Sequence, residues 1–382
     1  MHPSLEAFAL AAGLLALGAA LVHRLGFPPL PVYLLAGLLV GGWLPVEALE
    51  PLPSLGLLLL LFSVGLEFGP DRLRGLSGKA LRAGFYDALA LPLGFLLGLL
   101  AGLDWRGALL LAGVIYGSST TVIAKLIIDL RRAANPESEV VLGVSVLQDF
   151  LVALLLALLG GQGPTGFLGG VALALAYLLF ARFLGPGLAR FMEGFSDEVI
   201  LLLGAAFAMG SALLFQSLEA SAAVGAFLAG VIAGGLGLRE RFERLLAPVR
   251  DLGMALFFLV VGAKALGLLQ GLSPLAVGLV LFGLLLKLPL NHLGGARAGL
   301  SRKRRLYSAL YLVPRGEFNL VLGALALGQG YPLVAQVAVL LVLVSIPLGA
   351  LLIRFAPEIA QALYPEEHPK KRAKRAEESP VE

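Results

Sequence analysis

Asp149 stands as a single carboxylate, preceded by Gln148, inside an otherwise uncharged apolar stretch from Val140 to Leu159. A charge at the centre of a bilayer-length helix costs roughly 2.5–3.5 kcal/mol on insertion scales, so it persists where it faces protein or water and has work to do there. The chemistry on offer is reversible occupation of one carboxylate by a proton or a cation. Ser145, one helical turn earlier, shares the face of Asp149 and offers a further oxygen ligand. Lys287 is the second deep charge, in the otherwise apolar run Leu275 to Leu290. Asp149 is its expected partner, being read as the sole mid-span carboxylate of the first half of the chain. Paired, the two neutralise each other; a proton or cation on Asp149 would release the lysine.

Two polar interruptions accompany these charges. Gly117-Ser118-Ser119-Thr120-Thr121 lies at mid-depth in one apolar segment, and Val313-Pro314-Arg315-Gly316-Glu317-Phe318-Asn319 in another. Glycine and hydroxyl side chains weaken a helix, and proline removes one of its hydrogen bonds, so both segments are expected to unwind there. Broken helices expose positive N-termini and negative C-termini, which Glu317 and Arg315 can compensate. Ser119, Thr120 and Thr121 are candidate oxygen ligands beside Asp149 and Gln148, and Asn319 is an additional polar contact. Lys125 reads as interfacial and Glu67 as a solvated charge at a segment end.

The elements that must hold these residues are membrane helices. The chain has 382 residues, 58% of them hydrophobic and 14% charged, with mean hydropathy +0.91. Thirteen apolar segments lie between Leu5 and Phe355, most of them about 20 residues long, the span of a helix across a ~30 Å hydrocarbon core. Continuous apolar runs exclude a barrel, whose strands alternate. The 49 glycines and 22 prolines suit close packing and local breaks in membrane helices. With no cysteine, disulfides and thiolate chemistry are excluded. The first segment, from Leu5, has no basic lead-in and reads as a span rather than a signal peptide. The four histidines, His2, His23, His292 and His368, sit at termini or segment ends, and no buried nucleophile or metal set accompanies them, so the chain is not expected to be an enzyme.

Of the 29 lysines and arginines, 24 fall on alternate connections and the tail. That bias places the N-terminus outside and the C-terminus in the cytoplasm. It also accounts for the basic balance without nucleic acid. The chain repeats itself: Leu35 to Gly42 (LAGLLVGG) recurs as Leu228 to Gly235 (LAGVIAGG), and Leu55 to Leu66 recurs as Leu252 to Ala263, at offsets of 193 and 197 residues. Two six-helix units separated by one linker segment would insert with opposite orientation, a transporter signature with the site at the repeat interface.

The chain resembles the second family of monovalent cation/proton antiporters, in particular the Kef-type potassium/proton branch, over Leu5 to Phe355. The resemblance rests on Gly65-Leu66-Glu67, Ser118 to Thr121, Leu147-Gln148-Asp149, Lys287 and Pro314 to Phe318. It implies an all-α polytopic membrane protein with the NhaA-type antiporter fold, thirteen transmembrane helices and two crossed discontinuous helices. The antiporter domain would span 1–357, with scaffold and dimer segments at about 5–68 and 199–269, core segments at about 81–160 and 275–355, and a linker helix at about 166–183. A disordered basic tail, 358–382, would follow. The implied activity is alternating-access exchange of K+, or alternatively Na+, for H+ at Asp149, in a homodimer in the cell's inner membrane. The ions are cargo and no cofactor is expected. Gln148 stands where electrogenic sodium/proton members carry a first aspartate, which implies one-for-one, electroneutral exchange. Kef-type proteins often carry a nucleotide-binding domain after the last span; only 27 residues follow Phe355, so a separate regulatory subunit is the expected source. Two alternatives are a channel-like cation pathway, which needs a continuous polar route, and a sodium-coupled solute symporter, which needs further sodium-caging oxygens.

Overall fold

The computed structural model describes residues 3–24, 28–43, 45, 49, 51–67, 76–160, 194–237 and 239–365, with isolated residues between 172 and 192. Among these the chain is all-helical: α1 Pro3–Arg24, α2 Leu30–Val40, α3 Pro51–Glu67, α4 Gly78–Ala88, α5 Ala90–Leu100, α6 Trp105–Tyr116, α7 Thr120–Asp129, α8 Pro136–Leu159, α9 Asp197–Ser217, α10 Ala222–Gly234, α11 Arg239–Gln270, α12 Pro274–Arg297, α13 Arg302–Tyr311, α14 Glu317–Gly328, α15 Pro332–Arg354 and α16 Ala356–Leu363. Among the described residues, eight stretches are long and apolar enough to cross a membrane, and there are four shorter apolar helices, α2, α3, α10 and α14. The molecule is a multi-pass integral membrane protein. The linker segment at 166–183 lies outside the described residues apart from Ala172 and Leu179, and the tail from 366 onward lies outside them entirely.

Polar side chains set the helix starts. Ser77, Asp104, Ser119 and Ser196 each accept a backbone N–H from the first turn that follows, satisfying donors that a helix start leaves orphaned. Asp104 does this beside the opposite repeat: its Oδ1 accepts from Gly107 N–H at 2.9 Å and its Oδ2 from the Tyr331 hydroxyl at 3.0 Å. The Gly107 N–H and then the Tyr331 hydroxyl hold this carboxyl below the usual carboxylate range. The first residues of the tail expected to be disordered from 358, up to Leu363, belong to α16. Ala356 and Ala360, one turn apart, are buried as α16 packs on α13, and that apolar face outweighs the polar composition that suggested disorder.

The helices pack as two groups. In one, α2, α3, α10 and α11 meet backbone to backbone; in the other, α4 to α8 and α12 to α15 surround the two broken segments. Glycine makes the first group possible. Gly37 faces the backbone of Leu259 and Ala263, and Gly230, its counterpart in the repeat, faces Phe62 and Gly65. Gly65 faces Phe227 and Gly230, and its counterpart Gly262 faces Leu34 and Gly37. Gly56 and Gly253, counterparts of each other, are in mutual contact. Each contact therefore has its image at the offsets read from the sequence.

A methyl group on Gly230 would run into the Phe62 carbonyl, which cannot rotate away. Gly230→Ala is expected to lower stability by about 1–3 kcal/mol, as overpacking does. Gly210→Ala, whose new methyl meets open space, should hold or raise the melting temperature, as removing a mid-helix glycine does. Thermal melting of both variants in one detergent checks this, and equal melting would show the glycine contact to be dispensable.

Candidate ion site

The two breaks cross each other. Helix α6 ends at Tyr116 and α7 begins at Thr120; α13 ends at Tyr311 and α14 begins at Glu317. Between them the extended residues bond across the crossing: Ser119 N–H donates to Pro314 O at 2.8 Å, and the Ser118 hydroxyl donates to Leu312 O at 2.8 Å. Gly316 lies against Ser119 so closely that a Cβ there would overlap its side chain, which is why the crossing needs glycine.

Every half-helix end at the crossing meets an opposite charge or a polar cap. At the C-terminus of α6, Lys287 Nζ donates to Tyr116 O at 2.9 Å and lies 4.7 Å from the centre of the Tyr116 ring. Asn319 Nδ2 adds donations to Val114 O at 2.6 Å and Gly117 O at 3.0 Å. At the C-terminus of α13, Arg315 donates to Leu312 O at 2.8 Å and Val313 O at 3.1 Å, and also reaches the Ser118 hydroxyl and Gly283 O. At the N-termini stand carboxylates. Glu317 is the first residue of α14, and Asp149 accepts from the Thr120 hydroxyl at the start of α7 at 2.7 Å. Cations at C-termini and anions at N-termini are the stabilising arrangement for the helix dipole.

Lys287 does not pair with Asp149. Its ion-pair partner is Asp87, from α4, and both side chains are fully buried. Asp149 is therefore not the sole mid-span carboxylate of the first half. Asp87 follows Lys79, Arg82 and Tyr86 in sequence and reads there as the polar lead-in of a segment; the cue for it was the need of a buried lysine for a counter-charge. Gln148 is fully buried too: its Nε2 donates to Asp87 Oδ2 at 2.7 Å and its Oε1 accepts from Ser118 N–H at 2.9 Å. Both ends of that amide are bonded, so it serves the crossing. The Ser145 hydroxyl is buried and donates at 3.0 Å to Val141 O on its own helix, the usual back-bond of a helical serine, and Ser145 does not line the cavity on which Asp149 opens.

Asp149 opens on a cavity of about 460 Å³ that Ser119, Thr120, Thr121 and Glu317 also line. The Thr121 hydroxyl donates to Glu317 at 3.1 Å and the Ser119 hydroxyl at 3.3 Å. Two carboxylates and three hydroxyls thus converge on one water-accessible space, an oxygen-rich set suited to a hard monovalent cation. Farther along the cavity lie Glu67, Lys125, Glu243, Arg250 and Asp251, so Glu67 is part of its wall, and Lys125 is also ion-paired with Asp129 at 3.7 Å. A second cavity, of about 520 Å³, lies between α3, α11, α14 and α15 and is mostly apolar. Its Lys264 occupies the position matched to Glu67 at the 197-residue offset.

Residues 12–356 match the family model described as sodium/hydrogen exchanger, transmembrane. The chain is 31% identical to the ammonium/H(+) antiporter subunit AmhT of Alkalihalophilus pseudofirmus, over 89% of its own length and 90% of that protein. It is 31% identical to the K(+)/H(+) antiporter subunit KhtU of Bacillus subtilis, over 92% and 93%. The glutathione-regulated potassium-efflux protein KefC of Klebsiella pneumoniae is 30% identical over 78% of the chain but 51% of its own length. In fold, the chain is similar to the sodium proton antiporter MjNhaP1 of Methanocaldococcus jannaschii, with TM-score 0.69, 19% identity and coverage of 95% of this chain and 99% of that one. With its apolar helices, crossed breaks and buried charges, the chain belongs to the sodium/hydrogen exchanger family, the monovalent cation/proton antiporters.

Proposed function

We propose that the protein exchanges a monovalent cation for a proton by alternating access, with Asp149 as the site that the two share in turn. The observation that carries this reading is Asp149 in the wall of the oxygen-lined cavity, a placement in which a proton and a cation would compete for one carboxylate. K+ is the favoured cargo, with Na+ second; relatives named as K(+)/H(+) and ammonium/H(+) antiporters support the larger cations. The polar cavity is the cytoplasmic access route and the apolar one its outward counterpart. Thirteen spans in two inverted units, N-terminus outside, and a homodimer formed through the glycine-packed group in the inner membrane complete the reading. The word subunit in the names of AmhT and KhtU supports a separate partner subunit, for which regulation is the proposed role.

Exchange is one for one. Asp87 and Lys287 cancel, and Gln148 takes no proton, so Asp149 is the one group in this reading that a proton and a cation occupy in turn. Because Lys287 is held by Asp87, a cation arriving at Asp149 does not have to displace it.

Proteoliposomes with imposed K+, Na+ and NH4+ gradients test this. Proton movement should follow the cation gradient and be the same at zero and strongly negative potential. A net charge per cycle would respond at roughly 2.3 kcal/mol per 100 mV. Cation flux without proton movement would sink the exchange reading, and a current reversing as two protons per cation would sink the stoichiometry.

A further inference from the structure

The sequence motifs do not use Asp87, yet it joins the two parts of the site that must stay in register. Its carboxylate meets Lys287 from α12 on one side and Gln148 from α8 on the other. Through Gln148 Oε1 the chain of bonds continues to Ser118 N–H, in the extended segment between α6 and α7. The next two residues, Ser119 and Thr120, present their hydroxyls to Glu317 and Asp149. Three helices and the break are thus tied to one buried carboxylate, with Tyr116 stacked on the lysine and Arg315 adding its field.

We infer that Asp87 is a positioning residue of the cation site. From α4 it cancels the buried charge of Lys287 and, through Gln148, holds the Ser118–Thr120 backbone in the shape that delivers hydroxyl oxygens to Asp149 and Glu317. The inference rests on the exchange reading above. Its electrostatic half has a definite sign. Without Asp87, an uncompensated ammonium stands at the end of α6, on the backbone that leads through Ser118 and Ser119 to Thr120 and so to Asp149, and repels an incoming cation. Its geometric half needs only a hydrogen-bond acceptor at residue 87.

Asp87→Asn separates the two, since the amide oxygen still accepts from Gln148 while the charge is gone. In proteoliposomes the KM for the cation is expected to rise about tenfold or more, the scale of an unscreened charge acting across a protein interior, with a smaller change in maximal rate per folded protomer. The double variant Asp87→Asn, Lys287→Gln removes both charges; a neutral replacement of a buried ion pair is commonly tolerated, so its KM should return to within about threefold of the unsubstituted chain. Were Asp87 only a packing element, both variants would lower the folded yield and leave KM in place, and that outcome overturns the proposal. Should the single variant fail to fold, the double variant decides: a near-normal KM supports the proposal, and a folded protein without exchange overturns it. Asp149→Asn in the same vesicles keeps the two readings apart, because cation-driven proton movement surviving there overturns the antiport reading whatever residue 87 does.

Discussion

Replacing Asp149 by Asn is expected to reduce cation-driven proton movement to the level of empty vesicles. The amide preserves volume and can still accept from the Thr120 hydroxyl, which now reaches the carboxylate at 2.7 Å, so the crossing keeps its shape. What disappears is the charge that attracts a cation and the atom that carries a proton. Melting temperature and helix content should therefore stay close to those of the unsubstituted chain while transport vanishes. Proton-coupled transport at an unchanged rate in this variant would remove Asp149 from the mechanism.

Arg315→Leu should produce the opposite combination, a failure of structure before function. The guanidinium is fully buried and meets four oxygens: Leu312 O, Val313 O, Gly283 O and the Ser118 hydroxyl. Removing it strands the carbonyls at the end of α13 and withdraws the positive charge from that helix terminus. A loss of about 3–5 kcal/mol, as for other broken buried charge networks, is expected. Arg315→Lys should fall between, because an ammonium keeps the charge but cannot fork to several acceptors at once. Thermal melting in detergent ranks the three proteins, and an Arg315→Leu chain that melts with the unsubstituted one would show that the half-helix end needs no cation.

The membrane class, the repeat and both breaks were legible because each rests on a local signal: apolar length, a recurring glycine pattern, and proline or hydroxyl clusters inside apolar runs. The charges at the breaks were legible as types, since a deep arginine, lysine or aspartate in an apolar run stands out. Their pairing was not. Asp87 and Lys287 are 200 residues apart in the chain, and nothing in either local sequence says which carboxylate the lysine meets. Asp87 was also masked by its neighbours, because Arg82 and Tyr86 give α4 the look of an interfacial helix start. Gln148 was legible as a polar residue beside Asp149 but not as a brace, because a side chain's direction around a helix becomes informative only once the neighbouring helices are placed. Helical periodicity places Ser145 on the face of Asp149, but says nothing of the acceptor in its own preceding turn to which its hydroxyl donates.

The glycine contacts among α2, α3, α10 and α11 bear on how the protein responds to its bilayer. Where backbones touch directly, no rotamers exist to absorb a load, so the contact is as incompressible as a close-packed interior. A change in lipid thickness or lateral pressure therefore finds no give in this frame. The strain passes to the group that holds the two crossed breaks, where extended residues and half-helix ends have softer degrees of freedom. The exchange rate should then depend on lipid chain length more steeply than the melting temperature of the frame does.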